Sequence, residues 1–135
     1  MASVLLTTDW AAQFGLPADV LKSGLLMSGS YDLDPVMLSI RSSYVKISKE
    51  EQSALSAVQH VEQIRAPVTL VYGSRETPEF QRQAVHFFDV LKKASKAAEL
   101  IRIDGSNHFE VMDVFADPSS SIARIALKHM GLGQH

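Results

Sequence analysis

Two side chains in this sequence have the types and placement to move protons. They are Glu76, within Gly73-Ser74-Arg75-Glu76-Thr77-Pro78-Glu79-Phe80, and His108, within Asp104-Gly105-Ser106-Asn107-His108-Phe109-Glu110. Each follows an apolar run that reads as a β-strand. A carboxylate that orients a histidine, which in turn activates a hydroxyl or thiol, is the arrangement of nucleophilic hydrolysis. The acid and the base of such a set are present here. The chain contains no cysteine, so the ordinary nucleophile would be a serine or threonine.

The two groups are 32 positions apart, and only a particular architecture makes them neighbours. Composition limits the choice. With 135 residues, 46% hydrophobic and 21% charged, the chain suits one domain with a modest core. Its 13 basic and 15 acidic residues give a net charge of -2 with no long run of either sign, so no nucleic-acid partner is expected. There is no positive charge before Lys22 and no apolar run near the ~20 residues that cross a bilayer. The expectation is a cytoplasmic protein without a membrane partner.

Residues Ala2 to Phe14 read as a helix, or the end of one, stopped by Gly15 and Pro17. Ser23 to Gly29 is an apolar run between glycines, the pattern of a strand covered on both faces. Tyr31 to Pro35 forms a turn into a short-helical region reaching Val45. Ser48 and Glu51 have capping-box spacing, and Leu55, Val58, Val61 and Ile64 predict one apolar helical face. Pro67 to Gly73 reads as a second, buried strand. Thr77 is placed to cap a helix with Pro78 at its first position and an apolar stripe of Phe80, Ala84, Phe87, Phe88 and Leu91. Glu99 to Asp104 alternates like a sheet edge. Helices follow from about His108 to Phe115 and from Ser121 to Met130, closed by Gly131.

Strands alternating with helices imply an α/β fold of about three parallel strands joined by right-handed crossovers. The functional crevice of such sheets lies beyond the carboxyl ends of the strands, where Glu76 and His108 both fall. A small flavodoxin-like domain is the competing architecture, weakened by the lack of a phosphate-binding glycine loop.

Three segments, in order and each after a strand, carry a resemblance: Ser28-Gly29-Ser30-Tyr31-Asp32-Leu33, Glu76-Thr77-Pro78-Glu79-Phe80-Gln81-Arg82-Gln83, and Asn107-His108-Phe109-Glu110. Together they resemble the C-terminal half of an α/β-hydrolase, most closely the arylformamidase (kynurenine formamidase) and esterase branch. Leu5-Leu6-Thr7-Thr8-Asp9-Trp10 is similar to the end of the helix after the nucleophile elbow in that family. Residues 1–135 are therefore expected to be the C-terminal portion of an α/β-hydrolase domain without its N-terminal strands and elbow.

The resemblance implies Glu76 as triad acid and His108 as triad base. It implies a small-molecule ester or formamide substrate and no cofactor or metal. Neither a Gly-x-Ser-x-Gly elbow nor a His-Gly-Gly oxyanion segment occurs in the sequence. The expected partners are a complementary N-terminal half, or a second copy bound through an exposed strand edge. The noncatalytic alternative is a truncated α/β binding or assembly module. Asp104 and Asp32 are rival acids; His60 and His86 read as solvated helix histidines, His129 as a histidine near a helix C-terminus where positive charge is favourable, His135 as the terminus, and Glu79 with Arg82 as a surface ion pair. The segment Ser30 to Val45 is expected to set specificity.

Overall fold

In the computed structural model, which describes residues 1–132, three parallel strands form the middle layer. These are β1 (Gly24–Met27), β2 (Val68–Gly73) and β3 (Ala98–Ile103), in the spatial order β1-β2-β3. Around them lie α1 (Ala2–Thr7), α2 (Trp10–Phe14), α3 (Asp34–Met37), α4 (Lys49–Leu55), α5 (Pro78–Lys93), α6 (Glu110–Ala116) and α7 (Ser121–His129). Short 3-10 turns occupy Ile40–Ser43 and Ala57–Gln63. Leu26 pairs with Leu70 and Leu70 with Leu100, so all three strands run in one direction and end on one rim.

The central strand is largely apolar and almost wholly buried because both of its faces are covered. Val68 and Leu70 join Leu6, Leu26, Ile64, Ala84, Phe87 and Leu91 in the larger core cluster. Val71, one residue on and therefore on the opposite face, packs with Val111 and Ile122 from α6 and α7. Burying each of the larger side chains contributes about 1.5–3 kcal/mol relative to exposure. β1 and β3 are the outer strands. β1 is covered on both faces, as its sequence implied: Leu26 is buried in the larger cluster, while Leu25 and Met27, half-buried at the edge position, pack against the cluster of Val71, Val111 and Ile122.

Other expectations are corrected for local reasons. The N-terminal helix breaks at Thr8, whose backbone is extended, and Asp9 caps a second short helix through a bond from Ala12 N–H. The capping box at Ser48 and Glu51 is present, but α4 ends at Leu55. The apolar positions beyond it ride on a 3-10 segment kinked at His60, which is how Val61 and Ile64 reach the core while Leu55 stays exposed. Ser56 drives that break: its hydroxyl donates to Gln52 C=O and accepts from Leu33 N–H, which ties the turn to the loop after β1. Thr77 occupies the position before α5 but makes no side-chain cap. Among the described residues no helix is long and apolar enough to cross a membrane.

Candidate active site

The rim beyond the strand ends holds Glu76 and His108 side by side. Glu76 lies three residues past β2 with its side chain wholly buried; His108 lies five past β3 with its side chain 41% exposed. His108 Nδ1 is 3.0 Å from Glu76 Oε2. Drawn as the neutral tautomer with a proton on Nδ1, the ring donates to the carboxylate, and Nε2 is left free to accept a proton. Among the described residues no hydrogen-bond partner faces Nε2. The two residues singled out by the sequence are thus brought together, an arrangement compatible with general-base chemistry at Nε2.

Short-range structure explains why they meet. The loop after β2 is pinned to the loop after β3: Ser74 N–H donates to Ile103 C=O, Arg75 N–H to Ser106 C=O, and Gly105 N–H to the Ser74 hydroxyl. A Cβ on Gly73 would lie 2.2 Å from Ser106 O, so only glycine lets the loops approach this closely. On the histidine side, Asn107 Oδ1 accepts from Phe109 and Glu110 N–H, while Glu110 Oε2 accepts from Asn107 N–H. This reciprocal exchange has the form of a capping box and fixes His108 between its two partners.

The buried carboxylate of Glu76 is fully engaged. Oε1 accepts from Gly73 N–H at 2.9 Å and from the Ser28 hydroxyl at 2.5 Å, and Oε2 faces His108. Three donors offset the desolvation that burial imposes on a charge. Ser28 stands at the end of β1 with φ +50, a left-handed conformation that a serine adopts at a cost of about 1 kcal/mol. Nothing in the sequence signals this contact beyond the place of Ser28 after an apolar run.

The imidazole is held on its faces as well. Phe80 lies with its ring centroid 4.4 Å from that of His108, and Phe109 meets the imidazole edge-on at 5.6 Å. Phe80 was expected in the core stripe of α5 but lies outside the core clusters, half-buried against His108 in the first turn of that helix. Arg41 lies over the Phe80 ring, 5.6 Å from its centroid. Ser30, Pro35, Val36, Ser39, Arg41 and Phe80 line part of a groove of about 170 Å³ beside the pair.

Gln83 builds the groove wall. It is buried, accepts from Tyr31 and Asp32 N–H at 2.6 and 2.9 Å, and donates to Asp32 C=O and Glu79 Oε1. Three of these four bonds lock the loop after β1 onto α5. Glu79 and Arg82 form the expected pair through two bonds of 2.7 and 2.8 Å, and Arg82 holds the Glu79 carboxyl below its usual range. The rival acids are occupied elsewhere. Asp104 pairs with Arg102 at 2.9 Å, and Asp32 Oδ1 accepts from Asp34 N–H.

The remaining histidines divide. His86 is exposed; half-buried His60 bonds Ser53 C=O through Nε2. His129 closes α7, as its sequence implied, and is half-buried there with Nε2 3.4 Å from the Thr69 hydroxyl. His135 lies outside the described residues.

Comparison with known proteins gives these features a setting. No family model matches the chain. It is 23% identical over 136 residues to the kynurenine formamidase of Danio rerio, an alignment covering 97% of this chain and 46% of that relative. Among solved structures it resembles a candidate thioesterase of Silicibacter sp., with a TM-score of 0.73 and 21% identity over 88% of this chain and 43% of the other. It also resembles carboxyl esterase 2 of Tuber melanosporum, with a TM-score of 0.66 and 16% identity over 96% and 48%. This is a partial, C-terminal α/β-hydrolase fold. The chain spans about half the length of the curated relatives it matches. Its three parallel strands and flanking helices are those that the sequence implied.

Proposed function

We propose that Glu76 and His108 are the acid and base of a serine-type hydrolase acting on carboxylic esters or N-formyl amides. The nucleophile and oxyanion donors would be supplied from outside residues 1–135. The observation that carries this reading is the bond from His108 Nδ1 to the buried Glu76 Oε2, with Nε2 unpartnered among the described residues beside a groove. His108 Nε2 would take the proton of the attacking hydroxyl and return it to the leaving amine or alcohol. Glu76 would hold the ring in the Nδ1–H tautomer and stabilise the imidazolium as it forms. Ser28 does not fill the nucleophile's place, because its hydroxyl donates to the acid rather than to the free nitrogen.

A noncatalytic binding or assembly module is the second reading, favoured by the coverage of only half of each curated relative. Reconstitution separates the two. The chain is combined with a polypeptide that carries a Gly-x-Ser-x-Gly elbow and a His-Gly-Gly segment, then assayed on p-nitrophenyl esters and N-formyl aryl amides. The hydrolase reading expects turnover that disappears when His108 is replaced by alanine. A folded, stoichiometric complex that hydrolyses neither substrate class would leave the module reading in place.

A further inference from the structure

Ser28 is a non-glycine residue in the left-handed region, and its hydroxyl lies 2.5 Å from a buried carboxylate oxygen. If the chain needed only to turn at the end of β1, glycine would do so without strain. What serine adds is an O–H donor. That donor falls on the Oε1 atom already bonded by Gly73 N–H, so one oxygen of Glu76 is fastened twice. The terminal torsion of a glutamate side chain is broad and soft, and a carboxylate bonded at one point swings about it. Two donors from the ends of two neighbouring strands remove that freedom and leave Oε2 facing His108.

We propose that Ser28 is a positioning residue for the acid: its hydroxyl fixes the plane of the Glu76 carboxylate and thereby the orientation of the His108 ring. The role rests on the acid and base reading given above and deepens it. Ser28 does not line the groove, and its hydroxyl bonds Glu76 rather than Nε2, so it acts on the base only through the acid. The backbone strain at φ +50 is the cost of aiming the hydroxyl at the acid loop that follows the neighbouring strand β2.

The test reads the imidazole directly. In the 15N-labelled full chain, the Nδ1 proton of His108 should give a low-field resonance that exchanges slowly with water, and Glu76→Gln should abolish it. Ser28→Ala and Ser28→Gly should each speed that exchange by about tenfold, the effect of losing one hydrogen bond to a charged group. Glycine relieves the backbone strain that alanine retains, so Ser28→Gly should melt at or above the temperature of Ser28→Ala while losing the same protection. In reconstituted enzyme, both variants should lower kcat with KM little changed.

Wild-type exchange in a folded Ser28→Gly or Ser28→Ala chain, with Glu76→Gln still abolishing the resonance, would overturn the positioning role and leave the acid and base pair standing. A wild-type resonance that Glu76→Gln leaves untouched would bring down the pair itself, and the role of Ser28 with it.

Discussion

At the scale of single residues, the informative contrast is between Glu76, wholly buried, and His108, 41% exposed and 3.0 Å away. Burial gives the Glu76 carboxylate a fixed geometry; exposure leaves the His108 imidazole in contact with solvent. In a reconstituted hydrolase, Glu76→Gln should lower kcat by roughly 10³–10⁴, because the amide favours the wrong tautomer. Steady-state kinetics on a p-nitrophenyl ester would show it. A second residue-scale outcome concerns Tyr31, stacked on Phe87 at 4.6 Å and pushed by burial well above the usual phenol pKa. The folded state then holds this proton more tightly than the unfolded chain does. Stability is complete below the ordinary phenol pKa of about 10 and falls by up to about 1.4 kcal/mol per pH unit above it. Denaturant midpoints measured from pH 8 to 11 should decline, and Tyr31→Phe should flatten the decline.

At the scale of elements, the site depends on how closely two loops approach. Gly73 leaves no room for a methyl group, since a Cβ there would sit 2.2 Å from a backbone oxygen that cannot swing away. Gly73→Ala should therefore cost about 1–3 kcal/mol and separate the acid and histidine loops. Chemical denaturation and the His108 Nδ1 resonance would report the two effects together. The same scale shows what was legible in the sequence. Val68 to Val71 announce a buried strand because four consecutive apolar or small side chains fit a two-sided core, and Ser48 with Glu51 announces a helix start because both halves of the box are local. The breaks at Thr8 and Ser56 were hidden, since each depends on a tertiary or backbone bond rather than on periodicity. The nearness of Glu76 and His108 was legible because parallel topology delivers successive loops to one rim. Ser28, Phe80 and Gln83 were not, because their partners lie on other strands or loops, up to 52 positions away.

At the scale of the whole molecule, no strand among the described residues pairs with the outer edge of β1. Gly24 and Ser28 N–H donate toward β2, so by alternation the N–H groups of Leu25 and Met27 point away from it. Unpaired strand groups beside half-buried apolar residues favour the addition of another strand. Sedimentation velocity should therefore show concentration-dependent association of the isolated chain, suppressed when a complementary polypeptide is bound. A monodisperse, folded monomer at high concentration would contradict this.

Phe80 belongs to two environments at once. One part of it lines the groove beneath Arg41, and its ring also lies against the imidazole of His108. A molecule that settles in the groove must share Phe80 with the guanidinium or displace it, and a small rotation of an aromatic ring changes the magnetic shielding of its neighbour. The His108 ring protons should then shift on titration with an aromatic ester or formamide even where no bond is cleaved. Occupancy of the groove would be readable at the base itself, independently of turnover.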